Sequence, residues 1–209
     1  QRRVTDAFGQ LVALVQAWAT RGQSLLTHVL GDATQRPAAW QHWPPGDAHD
    51  PDAGFRWYYH GHPDAGRTRG EHGHFHLFAD VRRGDDVSHL LAISVTPLGL
   101  PCGLFAPNRW VTGERWLNAA QVLPRLRRFT LQTPSELTPV HQWLHLFLRA
   151  FAPQAEALLH ARDARLGELQ QRLPSDVLED RRVAVLSRCR IGLPEQARLL
   201  DRWNAPRSP

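Results

Sequence analysis

Two stretches of this 209-residue chain alternate with a period of two, and nothing else restricts the fold as much. In FRWYYHGH, the apolar Phe55, Trp57 and Tyr59 alternate with Arg56, Tyr58, His60 and His62. In HGHFHLFAD, His72, His74 and His76 alternate with Phe75, Leu77 and Ala79. Successive side chains of a strand point to opposite faces. Each stretch therefore reads as a strand with one apolar face and one histidine face. The connection from Pro63 to Glu71 is short enough to make them hairpin neighbours. If the apolar residues share a core layer, the histidines are forced together on the other face, with His60 opposite His74 and His62 opposite His72. Directly opposed Cβ atoms sit about 5 Å apart, so up to five imidazoles converge.

Two further strands follow, HLLAISVT (89–96) and CGLFAPNRWV (102–111), set off by the turn sequences RRGDD and PLGLP. Ala92, Ser94 and Thr96 are small and oppose Leu91, Ile93 and Val95, which leaves room for a ligand if they neighbour the histidines. The expected fold is α+β: an antiparallel sheet of about four strands (residues 55–111), an N-terminal helix and a helical C-terminal half. We read the whole chain, 1–209, as one domain.

Residues 4–30 form the N-terminal helix, capped by Thr5 or Asp6 and striped by Phe8, Leu11, Leu14, Val15, Trp18 and Leu25, with Gly31 as its stop. The alternative, a secretory leader, is disfavoured because Asp6, Gln10 and Gln16 interrupt the apolar run at helical spacing. Residues 32–54, rich in Pro, Gly and Asp, read as a long loop. The helical half (113–205) comprises a helix over 113–129 broken near Pro124, one from Thr138 (N-cap, with Pro139 at N1) split at Pro153, one over 175–189 and a last one over 194–203.

Composition limits the chemistry. All 25 basic residues are Arg. The absence of Lys excludes Schiff-base, pyridoxal-phosphate and P-loop lysine chemistry. A net charge of +5 is modest, and the Arg-rich runs RLRRF and EDRRVAVLSRCR lack interleaved aromatics, which argues against a nucleic-acid partner. Cys102 and Cys189 stand far apart with no CxxC spacing, so neither a disulfide framework nor a zinc ribbon is possible. No apolar run reaches 18 residues, so no membrane span is expected, and the reading is of a cytoplasmic protein.

Clustered neutral imidazoles form a ligand field for Zn, Fe, Cu or Ni, and a His-x-His pair on one strand can chelate one ion. The candidate ligands are His60, His62, His72, His74 and His76, with His74 and His76 foremost. His141 and His145, four apart on a helix, can complete the site if that helix covers the histidine face, although a place at the helix's core border is the plainer reading. GDAHDPD offers Asp47, His49, Asp50 and Asp52 as hard ligands or as a solvated turn. Arg109 and Glu114, in the loop after the last strand, can contact a substrate; Arg67 and Arg69 can hold phosphate. Glu71 points away from the histidines unless the strand begins later.

Two resemblances arise from these motifs. HGHFHLF resembles the signature of the histidine-triad nucleotide hydrolases and transferases, with Gly73 as its poor match. That resemblance implies a catalytic His74 that takes up a nucleotidyl group, with His72 and His76 as supporting donors. The motif's early position, after a hairpin, departs from that family. The combination of YYHGHP, GEHGHFHLF and NRWVTGE, spanning most of residues 40–120, is similar to an uncharacterised family of bacterial, mainly proteobacterial, proteins. It implies no activity.

Three functions are thus open. The first is a metal-dependent enzyme, oxygenase-like or hydrolytic, acting on a small molecule or peptide. The second is a triad-like nucleotidyl hydrolase or transferase using His74. The third is a non-catalytic metal-binding or partner-docking module with exposed Trp anchors.

Overall fold

The histidines sit in a six-stranded antiparallel sheet in the computed structural model, which describes residues 1–31, 41–61, 70–81, 86–132, 135–173 and 176–205. The strands β1 (Trp43–Asp50), β2 (Phe55–His60), β3 (Gly73–Asp80), β4 (Val87–Val95), β5 (Pro101–Pro107) and β6 (Val185–Arg190) lie side by side in chain order. The helices are α1 (Arg2–Ala19), α2 (Leu25–Leu30), α3 (Arg109–Thr112), α4 (Ala119–Arg128), α5 (Thr138–Ala150), α6 (Ala152–Arg172) and α7 (Leu193–Asn204).

The mixed helix-and-sheet class agrees with the expected one, but the sheet gains a strand at each edge. β1 falls inside the expected loop, where Pro44, Pro45 and Gly46 argue against pairing. Pro is tolerated there because β1 is an edge strand, and its register with β2 shifts between Trp43 and Ala48. β6 falls inside the expected helix over 175–189. Among the described residues there, only a short 3-10 turn (Val177–Glu179) is helical, and Val185–Arg190 completes the open edge of β5.

Helix boundaries move for local reasons. The N-terminal helix divides at Ala19, because Ser24 caps a new helix through a reciprocal pair with Thr27. Asn118 and Gln121 form the same kind of box, so α4 starts only at Ala119 and runs through Pro124 unbroken. Pro153, in the first turn of α6, separates α5 from α6 as expected.

The hairpin register is the expected one. Phe55 pairs with Ala79, Trp57 with Leu77, Tyr59 with Phe75 and His60 with His74. The odd-numbered face of β2 and β3 continues onto β4 through Leu91 and Ile93. Helix α5 packs on this face. Trp143 stacks on Phe75 with ring centroids 5.8 Å apart, and Phe147 and Phe151 extend the stack along the helix. The main core joins this face to α1, α2, α4, α5 and α6.

The histidine face is not a solvated counterpart. Every residue of β3 from Gly73 to Ala79 is buried, so the sheet is covered on both sides. Among the described residues, no helix is long and apolar enough to cross a membrane.

Candidate metal centre

Three imidazoles converge on the even-numbered face. His60 comes from β2, and His74 and His76 come from β3. One ring nitrogen from each lies within 4.8 Å of the others, and all three residues are buried. Nε2 of His60 stands 2.8 Å from Nε2 of His74. Two nitrogens on a tetrahedral Zn²⁺ at about 2.05 Å would stand about 3.3 Å apart. An opening of about half an ångström would therefore replace their shared proton with a cation.

Each ring of the β3 pair is held from behind. Nδ1 of His74 lies 2.5 Å from the Glu71 carboxylate, which is itself buried. The carboxylate accepts a hydrogen bond from Nδ1–H, which leaves the Nε2 lone pair facing His60, the arrangement that orients histidines on metals. β3 begins at Gly73, so Glu71 lies outside the strand and escapes its alternation. That is the condition under which the sequence reading allowed it to reach the histidines. Nδ1 of His76 lies 2.9 Å from Nε2 of His89. With Nδ1 so held, Nε2 is the nitrogen of His76 that would meet an ion.

His89 is the residue that counting by two misplaces. By parity it belongs with Leu91 and Ile93 on the core face. The β3–β4 register instead passes from Leu77↔Leu91 to Phe78↔His89, which makes Leu90 an extra residue. This bulge turns His89 onto the histidine face, as bulges commonly re-aim a side chain. Burial, with smaller contributions from Arg162 and His74, pulls its imidazole down to about 3, so it is neutral at ordinary pH.

The walls of the site are aromatic. Phe105 from β5 meets His74 and His76 edge-on, with centroids 4.9 and 5.8 Å away. Tyr58 lies 5.1 Å from His76 and 5.2 Å from His60, and its outer side stacks on His42 at 3.7 Å. Burial, then the charges of Asp47 and Glu114, push the Tyr58 phenol well above its usual range. Ala92 and Ser94 are the β4 partners of His76 and His74, so the small residues do neighbour the histidines.

The other candidates separate from this cluster. His72 precedes the strand, and its Nδ1 lies 2.6 Å from the Tyr59 hydroxyl, a group of the core-face side chains. Gly73 makes that contact possible: a Cβ there would lie 2.5 Å from the Tyr59 hydroxyl and 2.6 Å from the His60 carbonyl. His62, Arg67 and Arg69 lie outside the described residues.

His141 stands over Trp57 on the core face, across the sheet from the three histidines, with its basicity lowered by burial. His145 pairs with Arg149 on the same helix, its basicity lowered by burial and that neighbour. Helix α5 covers the core face, so neither residue reaches the site. The acidic loop is dispersed as well. Asp47 pairs with His42, and His49 pairs with Asp80. Asp50 accepts from the backbone of Ala53 and Gln132, and Asp52 is exposed. Arg109 pairs with Asp176 and Glu179 at the surface. The Glu114 carboxylate accepts a hydrogen bond from the backbone N–H of His89. Burial raises it to about 8, against the lowering effect of that bond and of Arg162. Both cysteines are free thiols.

Sequence comparison finds no match among curated proteins or among solved structures. Residues 5–191 match a family described only as a domain of unknown function. That match spans most of the chain, from α1 through all six strands to the residue after β6. The chain therefore belongs to the DUF6969 family, a group with no assigned function and the buried three-histidine cluster described above as its candidate centre in this member.

Proposed function

We propose that this protein binds one divalent transition metal ion through His60, His74 and His76 and uses it as an enzyme of the hydrolytic or oxygenase type. The observation that carries this reading is the convergence of three buried imidazole nitrogens within 4.8 Å, with Glu71 behind one of them. Three neutral nitrogens suit Zn²⁺, Fe²⁺, Cu²⁺ or Ni²⁺. Three protein ligands also leave a coordination position open, which is the mark of catalytic rather than structural sites. A metal there would lower the pKa of a bound water into the neutral range and polarise a substrate group. The chain supplies the orientation: Glu71 and His89 fix two ligand rings, and Phe105 and Tyr58 keep the surroundings poor in water.

Titration of the metal-free protein with Co²⁺ tests this reading, since its visible bands report ligand number and geometry. A one-to-one complex with a solvent-accessible position is expected, and no such complex should form in His60→Ala. Bands typical of four protein ligands would move the reading to a closed, non-catalytic site.

A nucleotidyl-transfer reading has one observation in its favour. Glu71 on Nδ1 of His74 also raises the nucleophilicity of Nε2. It predicts a covalent adduct on His74, visible by mass after incubation with a nucleoside phosphoramidate in the absence of metal. Among the described residues, every Trp is buried or half-buried, so none of these offers a fully exposed anchor for a docking module.

A further inference from the structure

We infer that His89 is a positioning residue of the metal centre, fixing the tautomer of His76, and that the NRWVTGE segment is the strap that holds His89 in place. The inference rests on the metal reading above. Its starting point is the 2.9 Å contact between Nδ1 of His76 and Nε2 of His89, deep in the protein. One proton lies between two imidazole nitrogens in such a contact. If His76 donates, its Nε2 keeps a lone pair for the ion. If His89 donates, the proton of His76 sits on Nε2 and blocks that nitrogen. Metal binding selects the first arrangement, in which His89 accepts and does nothing else at the ion.

The position of His89 is built by several independent contacts. The bulge at Leu90 turns it inward. β5 pairs with β4 only from Ala92 to Val95, which leaves the stretch before it without a strand neighbour on that side. Residues 114 and 115 take that place. The Arg115 N–H donates to the Val87 carbonyl at 2.8 Å, and the Glu114 carboxylate receives the His89 N–H. The segment is anchored further back. Asn108 donates to the Val177 and Val183 carbonyls at 2.7 and 3.0 Å, and the Trp110 indole donates to Val183 at 2.9 Å. Glu114 therefore acts on the bulge backbone. His74 and His76 are held by unlike partners, one the Glu71 carboxyl group and one the His89 ring.

The test compares Zn²⁺ affinity, by competition with a chromophoric chelator, in untagged wild type, His89→Gln and His89→Leu, with thermal melting of each metal-free protein alongside. Gln keeps an accepting oxygen and Leu does not. His89→Leu is expected to bind Zn²⁺ about 10–100-fold more weakly, with His89→Gln recovering most of the loss. Glu114→Leu should weaken binding in the same direction. A purely structural His89 would lower the melting temperature of both variants and leave the affinity of the folded fraction unchanged. Affinity of folded His89→Leu within twofold of wild type, or no advantage of Gln over Leu, overturns the inference. Wild type that binds no Zn²⁺ overturns the metal reading itself, a distinct result. Should His89→Leu not fold, imidazole ¹⁵N spectra of the Zn²⁺-loaded wild type decide: an Nδ1–H tautomer on His76 is expected, and Nε2–H contradicts the inference.

Discussion

The two faces of one sheet are made from alternate residues of the same strands, β2, β3 and β4, and they are built on different principles. The odd-numbered face carries Trp57, Tyr59, Phe75, Leu77 and Ile93 under helix α5. Its stability comes from apolar area removed from water and from ring stacking. The even-numbered face carries His60, His74, His76 and His89, equally buried but polar. Burying polar groups costs free energy unless each finds a partner. On this face the partners are other imidazoles and the carboxylate of Glu71, an arrangement that stabilises little and orients much. The difference teaches that one face is built for packing, while the other gathers the polar groups on which the proposed binding rests.

Substitutions separate the faces. The largest expected effect is on the apolar side. Trp143→Ala should destabilise the protein by about 3–5 kcal/mol in urea denaturation, with or without metal; a much smaller loss would mean that α5 is not the main cover of that face. Gly73→Ala strains the start of β3, because its Cβ would collide with the Tyr59 hydroxyl and with the backbone carbonyl of the candidate ligand His60. A loss of about 1–3 kcal/mol is expected, together with weaker metal binding.

Glu71→Gln belongs to the binding face alone. It should weaken Zn²⁺ binding tenfold or more with little change in the unfolding midpoint of the metal-free protein. An equal loss on both counts would make Glu71 a folding residue.

The smallest effect is one of pH. Burial raises Glu114 from the ordinary 4.5 to about 8. Between these values the folded protein keeps a proton that the unfolded chain has lost, so this group's contribution is complete below 4.5 and fades as pH rises through 8. Glu114→Gln does not titrate, so its melting temperature relative to wild type should rise from pH 5 to pH 9. A difference that stays constant with pH would place the carboxylate in a better-solvated setting.

The legibility of the fold follows from where strict alternation holds. The hairpin of β2 and β3 is regular from Phe55 to His60, so parity alone puts His60 opposite His74 and both opposite the core. Parity fails at Leu90, where one extra residue moves His89 to the other face with no mark in the local sequence. It fails at His72 too, which lies before the strand and turns to Tyr59. β1 was hidden by Pro44, Pro45 and Gly46, which are compatible with a strand only at an edge. β6 carries a period-two pattern, Leu186, Arg188 and Arg190 against Val185, Ser187 and Cys189, but its Arg-rich context reads equally well as a helix until the open edge of β5 is known. His141 and His145 lie on a helix as their spacing predicts, and His141 sits at the core border of the plainer reading; nothing local states which side of a sheet a helix will cover.

The central claim is that the binding face holds an ion. Elemental analysis of untagged protein, purified without chelator, tests it most directly. One equivalent of a single transition metal per chain is predicted, retained through desalting and lost in the His74→Ala/His76→Ala double variant while helix and sheet content persist. Folded wild-type protein that carries no metal and takes up none from a Zn²⁺, Fe²⁺, Cu²⁺ or Ni²⁺ solution would contradict it.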